Sequence, residues 1–364
     1  MALLLFVSII CLHSLLVVKG HSSSSPLAPA LYVFGDSFSD SGNNNFFQTR
    51  ARENYKPYGI DFPDGATGRF TNGKTFVDFI AAPTICASIF GSFNRREIQY
   101  YNRTELRIWI SWHSESGTTT VGDNLSLDER IDYFKDTKRI YLRRVYKNPV
   151  QITKYLSESI FVIFIGSNDY INNYLQPDNY NSSQIYTPEQ FADLLLYRLT
   201  LRMYKGRNNT LYQLGARKLV VFNIFRVGCI PAVVDTASPR PTTPCVEDVN
   251  NLVLLYNTKL PKVITNLERI LLGSTFIHGD AYNMSRNSSE VGFTAAQTPF
   301  CEVDGNAGSC VRDSVNVPCE DRTQFIFWDS FDPTKVVNNA MAKDCFSGSS
   351  SCVPINIQQL AKKR

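Results

Sequence analysis

Ser37 is the residue around which chemistry can be built. It follows Leu31-Tyr32-Val33-Phe34, four apolar residues that read as a buried strand. The chain then breaks at Gly35-Asp36 into the small polar run Ser37-Phe38-Ser39-Asp40-Ser41-Gly42-Asn43. Open α/β sheets place their sites at the carboxyl ends of strands, so a serine at such a break is a candidate nucleophile. Gly-Asp-Ser alone also fits an ordinary Ser- or Asx-rich turn. A serine cleaves an ester only with a base to take its proton, a group to orient that base, and donors for the oxyanion. The chain offers three further stretches for those roles. Ile160 to Ile165, IFVIFI, is a second strand-like run that ends at Gly166-Ser167-Asn168-Asp169. Gly68-Arg69-Phe70-Thr71-Asn72-Gly73 closes a loop over 43–73 that is rich in Gly, Pro, Asn and Asp. Near the carboxyl end, Asp329 and Asp332 stand three residues apart in Phe327-Trp328-Asp329-Ser330-Phe331-Asp332-Pro333-Thr334. Long irregular loops inside a domain are usually functional.

Together these motifs resemble the sequence blocks of the GDSL esterases and lipases of plants, members of the SGNH hydrolase superfamily. The resemblance implies an α/β fold, the SGNH-hydrolase (flavodoxin-like) three-layer sandwich, with a parallel sheet of about five strands and helices on both faces. It implies a serine ester hydrolase acting on acyl or acetyl esters, an ester or lipid small-molecule substrate, and no cofactor or metal. In the family the serine after Gly-Asp is the nucleophile, here Ser37. The second block supplies a backbone N–H to the oxyanion, a role that maps to Gly73, with Gly68 the lesser candidate. The third block supplies an asparagine side chain, here Asn168. The family's base and orienter form Asp-x-x-His before Pro-Thr. Asp329 matches the orienter, but Asp332 occupies the histidine position, while Trp328, Pro333 and Thr334 hold the alignment.

That replacement has physical consequences. Histidine titrates near 6.5 and can take and return a proton at neutral pH. Aspartate titrates near about 3.9 and is a poor base. Two neighbouring carboxylates repel, which raises one of their pKa values. The Asp332 side chain is also shorter than histidine, so it is expected to fall short of Ser37 without a bridging water. Loss of the triad histidine costs about 10⁶ in kcat in a serine protease. Three other histidines follow the leader segment: His21, His113 and His278. None has motif support, and His278 within Phe276-Ile277-His278-Gly279-Asp280 reads as a half-buried strand residue. The sequence thus carries two readings: an ester hydrolase impaired by Asp332, or an inactive family member acting as a ligand-binding or cell-wall glycoprotein.

The elements that must position these residues alternate. After the first strand, Lys74–Ala82 reads as helix, Ser126–Val145 as helix with a Ser-x-x-Glu capping box, and Pro188–Leu214 as a long helix with a break near Gly206. Lys218–Ile224 is a buried strand, Asp248–Leu272 a helix, Thr275–His278 a short strand and Thr334–Lys343 a closing helix. Residues 285–325 read as loop. Alternation of this kind predicts a parallel sheet covered on both faces. Residues 84–116 depart from the family pattern, which resumes at 117. An altered exon or reading frame, or true divergence, accounts for such a break. Arg107–Trp112 is a candidate strand within it.

Composition sets the outer bounds. The chain has 364 residues, 43% hydrophobic, and a net charge of +4. That suits one hydrolase domain over 31–360 and gives no sign of nucleic-acid binding. Residues 1–20, apolar and without an acidic residue, read as a signal peptide. No later stretch is long and apolar enough for stable membrane insertion, so a secreted protein of the apoplast or cell wall is expected. Cys86, Cys229, Cys245, Cys301, Cys310, Cys319, Cys345 and Cys352 remain after the leader, an even set that points to disulfides. Local pairs Cys229/Cys245 and Cys345/Cys352 fit short loops. Sequons at Asn102, Asn124, Asn181, Asn208, Asn283 and Asn287 suit glycosylation of an exported chain. Nothing in the sequence points to an oligomeric state.

Overall fold

The central strands are mostly apolar because both of their faces are covered. The computed structural model of the chain describes residues 26–84, 107–108, 126–205, 210–290, 298–305, 308–314 and 321–363. In chain order the main elements are β1 (Leu31–Gly35), α1 (Phe76–Thr84), β2 (Arg107–Ile108), α2 (Leu127–Asp136), α3 (Pro149–Glu158), β3 (Ile160–Phe164) and α4 (Pro188–Thr200). They continue as β4 (Lys218–Phe222), α5 (Glu247–Ile270), β5 (Thr275–Gly279), α6 (Ala281–Glu290), α7 (Lys335–Ser347), β6 (Cys352–Val353) and α8 (Ile357–Lys362). The sheet order is β2-β1-β3-β4-β5-β6. The first five strands run parallel, and β6 adds an antiparallel edge to β5.

Side chains alternate between the two faces along each strand. Tyr32, Phe34, Phe161, Ile163, Leu219 and Val221 pack with residues of α2, α3, α4 and α5. Val33, Val162, Phe164, Val220, Phe222 and Ile277 pack with α1, α6, α7 and α8. The result is the three-layer sandwich expected from the sequence, with five parallel strands and one further antiparallel strand.

Several local expectations meet their structural outcome here. Ser126 and Glu129 form the reciprocal capping box that starts α2. The helix continues past Asp136 as a π-helical turn over Thr137–Leu142 and one more α-turn, Arg143–Val145. The long helix read over 188–214 is instead α4, a π turn at Leu201–Lys205 and a separate short helix at Leu211–Leu214. Residues 285–290 belong to α6 rather than to loop. The candidate strand at 107–112 enters as β2, with Arg107 and Ile108 paired to Val33 and Phe34.

Disulfides join Cys229 to Cys245 and Cys345 to Cys352, the two local pairs expected, and also Cys301 to Cys310. The leader segment 1–20, Cys86, Cys319, His21, His113 and the sequon residues Asn102, Asn124 and Asn208 lie outside the described residues, as does the side chain of Asn287. Asn181 and Asn283 are exposed.

Candidate active site

The strand order reverses direction between β1 and β3, since β2 lies on one side of β1 and β3 on the other. Flavodoxin-like sheets open a crevice at the carboxyl ends of these two strands. Ser37 follows β1, and Asn168 follows β3, so the topology puts both at that crevice.

The turn after β1 is built residue by residue. At Gly35 a Cβ would lie 2.0 Å from Ser39 Oγ, so only glycine lets the chain fold back there. Asp36 caps the following 3₁₀ turn, its Oδ1 accepting the Phe38 N–H at 3.3 Å. Its Oδ2 accepts the Ser167 hydroxyl at 2.5 Å, which ties the β1 turn to the β3 turn. Asp40 accepts the N–H groups of Gly42, Asn43 and Asn44 at 2.9, 2.8 and 3.3 Å and so folds the Ser-Gly-Asn loop. The buried Arg130 of α2 donates to the Gly35 carbonyl at 3.1 Å, beside both aspartates.

Ser37 is only half-buried, so the crevice reaches it. Asp332 lies near it, and the Ser37 hydroxyl favours the ionised form of that carboxyl against its burial. The chain turns sharply at Asp329, whose Oδ1 accepts the N–H groups of Phe331 at 2.8 Å and Asp332 at 2.7 Å. That turn carries Asp332 toward Ser37. Asp329 Oδ2 accepts the Tyr58 hydroxyl at 2.7 Å, and Tyr58 in turn accepts the Cys310 N–H at 3.0 Å. Nearby, buried Glu53 accepts the Ser309 hydroxyl at 3.0 Å.

These carboxyls are buried with few cations among them, and their titration shows it. Burial pushes Asp36 up to about 6, against the hydrogen bond from Ser167. Burial likewise pushes Asp329 up to about 6. Glu53 rises to about 8 through burial and the charge of Asp329. Asp332 is raised well above the usual carboxylate range, by burial first and by the Asp329 charge second. The expected repulsion is present, and burial outweighs it. Asp332 thus holds its proton to higher pH than an ordinary carboxyl, and while it does so it cannot accept the proton of Ser37.

The second block is anchored on both sides. Arg69 pairs with Asp78 of α1 at 2.7 Å in a buried salt bridge. The Thr71 hydroxyl donates to the Pro333 carbonyl at 2.9 Å, and Asn72 Oδ1 accepts the Lys335 N–H at 2.8 Å. Gly73 then lies beneath the Lys335 stem, where a Cβ would be 2.5 Å from Lys335 Cδ. Asn168 is half-buried, and its Oδ1 accepts from Asn172 Nδ2 at 3.0 Å, which sets the direction of its amide. Thr71 to Gly73 thus meet the segment after Trp328 through Pro333 and Lys335, and Ser167 is tied to the Ser37 turn through Asp36.

His278 is placed elsewhere. It lies in β5, two strands beyond β3, paired with Val353 of β6. Three strand spacings from β1 put it about 14 Å away. Burial also holds its imidazole below its ordinary pKa. Three residues of the site were not singled out from sequence: Tyr58, Glu53 and Arg130. Only the fold brings them to it, across 271 residues in the case of Tyr58 and Asp329.

A serine at the switch point of a parallel sheet, with a buried carboxyl beside it from just before the last long helix, is an arrangement open to ester hydrolysis. The sequence profile of the GDSL-like Lipase/Acylhydrolase family matches residues 31–345, and the chain belongs to that family of ester hydrolases. It is 37% identical over 371 aligned positions to GDSL esterase/lipase 7 of Arabidopsis thaliana, covering 97% of this chain and 99% of that one. It is 36% identical over 381 positions to GDSL esterase/lipase At1g33811 of the same plant, covering 99% and 100%.

Proposed function

We propose that this chain is a secreted serine ester hydrolase acting on acyl or acetyl esters, with turnover held low by Asp332. Ser37 is the nucleophile, and Gly73 N–H, Asn168 Nδ2 and the Ser37 N–H receive the oxyanion. Asp329 orients the segment that carries Asp332. The proposal includes cleavage of residues 1–20, a single domain over 31–360, and glycosylation at exposed sequons. Among the described residues no helix is long and apolar enough to cross a membrane.

The observation that carries the reading is the placement of buried Asp332 beside Ser37. The family chemistry needs a base at that point, and the group there is a carboxyl whose burial favours its protonated form. The same observation favours the second reading, an inactive family member that binds an ester or glycan. Turnover of a short-chain chromogenic ester, with Ser37→Ala as the blank, separates the two. Labelling of Ser37 by a fluorophosphonate reports in one step whether its hydroxyl is activated. Neither turnover nor labelling at any pH leaves the ligand-binding reading standing.

A further inference from the structure

A second site lies away from the serine, on the outer layer formed by α2 and α3. Residues 135–147 hold Lys135, Lys138, Arg139, Arg143, Arg144 and Lys147 against the single acid Asp136, a net of +5. The whole chain carries +4, so the other residues sum to −1 and the excess positive charge sits in this one segment.

The fold gathers that charge around a cleft of about 380 Å³. Lys135, Lys138, Arg139 and Arg143 line it, with Ile152 of α3 and Leu214 as an apolar floor. Among the described residues no carboxylate lines it. Arg139 pairs with Asp136 at 3.1 Å, while among the described residues no carboxylate pairs with Lys135, Lys138 or Arg143. The π turn matters here. Its wider hydrogen-bond ring stacks residues five apart, so Lys138 and Arg143 face the same opening. Lys138 donates to the Leu214 carbonyl at 2.8 Å and is held at the cleft wall. Burial, and then the charges of Arg143 and Arg217, press its ammonium toward the neutral form. An arriving anion would relieve that crowding.

The rim supplies the other half of the chemistry. Val145 is 52% exposed and Val150 is 71% exposed, on the turns that flank the cleft. Exposed apolar side chains beside clustered Lys and Arg are the makings of an interfacial membrane contact.

We infer that this face docks the protein on an anionic lipid surface, with a lipid phosphate seated among Lys135, Lys138 and Arg143, and Val145 and Val150 entering the headgroup layer. Such docking would hold the chain at the interface where lipid esters are found. It does not depend on catalysis by Ser37, so it stands or falls separately from the proposed activity.

The test is cosedimentation of the full secreted chain, as Ser37→Ala to silence any turnover, with phosphatidylcholine vesicles carrying or lacking phosphatidic acid. Binding is expected only with phosphatidic acid, and weaker as salt rises. Each basic side chain at an anionic surface contributes about a factor of five. Lys138→Ala combined with Arg143→Ala is therefore expected to weaken binding roughly 30-fold. Val150→Asp is expected to weaken it too, and Lys262→Glu on exposed α5 surface to leave it within about twofold of the parent. Circular dichroism confirms that each variant is folded. Equal binding to both vesicle types, binding to neither, or an equal loss with Lys262→Glu overturns the inference. So does retention of inorganic phosphate by the cleft without any vesicle binding, which would mark a soluble-anion site instead.

Discussion

The Tyr58 hydroxyl donates to Asp329 at 2.7 Å while accepting from the Cys310 N–H at 3.0 Å, so one buried oxygen links the candidate site to the Cys301–Cys310 loop. Both partners are buried, and each would be left short of a partner if the hydroxyl were removed. An unsatisfied buried group costs about 1–3 kcal/mol. Tyr58→Phe is therefore expected to lower unfolding free energy in urea by about that amount. It also removes a hydrogen bond that favours ionised Asp329. A variant as stable as the parent would show that the link carries no weight.

Stability should fall as pH rises from about 5 to 8. Asp36 and Asp329 sit near 6 and Glu53 near 8, while Asp40 and Asp332 are also raised, burial leading in each case. In the unfolded chain these groups titrate near about 4. Through this window the folded state holds more protons than the unfolded one, so each unit of pH favours unfolding. His278 opposes the trend, since its folded pKa is lowered, but it is one group against five. Unfolding midpoints measured at pH 5, 6, 7 and 8 should decline, and Glu53→Gln should flatten the decline above pH 6. A midpoint that climbs across the range contradicts this account of the buried carboxyls.

Asn168 and Asn172 allow a split between donor and positioner. Removal of one oxyanion donor costs about 10²–10³ in kcat in a serine protease. Asn168→Ala should therefore abolish most residual turnover with little change in KM. Asn172→Ala removes only the group that accepts no charge from the substrate, and that fixes the Asn168 amide at 3.0 Å. Its loss should be smaller and should be recovered in Asn172→Gln only if the longer side chain still reaches Asn168. Equal losses in Asn168→Ala and Asn172→Ala would mean that Asn168 is not a donor.

Much of this was legible in the chain itself, for a physical reason. Strands covered on both faces must be apolar throughout, so Leu31–Phe34 and Ile160–Ile165 stand out without any three-dimensional information. The residues just beyond them, Ser37 and Asn168, inherit that clarity. Tyr58, Glu53 and Arg130 carry no such mark. Each looks like an ordinary aromatic or charged residue until the fold brings a partner to it from far along the chain. β6 is two residues long, too short for any periodic pattern. The π turn at Thr137–Leu142 hides within a helical pattern, because the apolar spacing around it still reads as helix. How near Asp332 comes to Ser37 was not legible, because the turn that Asp329 makes with the Phe331 and Asp332 N–H groups sets its course.

That placement leads to a prediction with a defined pH signature. Ser37 must lose its proton as it attacks, and Asp332 is the carboxyl placed beside it. While it holds a proton Asp332 cannot serve, and burial makes it hold that proton to higher pH than a free carboxyl does. Above its raised pKa it becomes a carboxylate and can accept the proton, although its charge then sits beside the developing oxyanion. Activity of the parent should thus be low at pH 7 and climb on the alkaline side. Asp332→His places an imidazole of pKa near 6.5 at the same point, behind an Asp329 already fixed by two backbone N–H groups and Tyr58. Its kcat/KM at pH 7 should exceed the parent's by roughly 10²–10⁴, the usual contribution of a positioned acid–base group. The profile should also shift, reaching a plateau near pH 7 to 8 where the parent is still rising. The comparison uses one activated ester across pH 5 to 10, with Ser37→Ala as the blank for both proteins. Parent turnover that Ser37→Ala abolishes, that is already on its plateau at pH 7, and that Asp332→His does not raise would sink the assignment of Asp332. The proton of Ser37 would then have another acceptor.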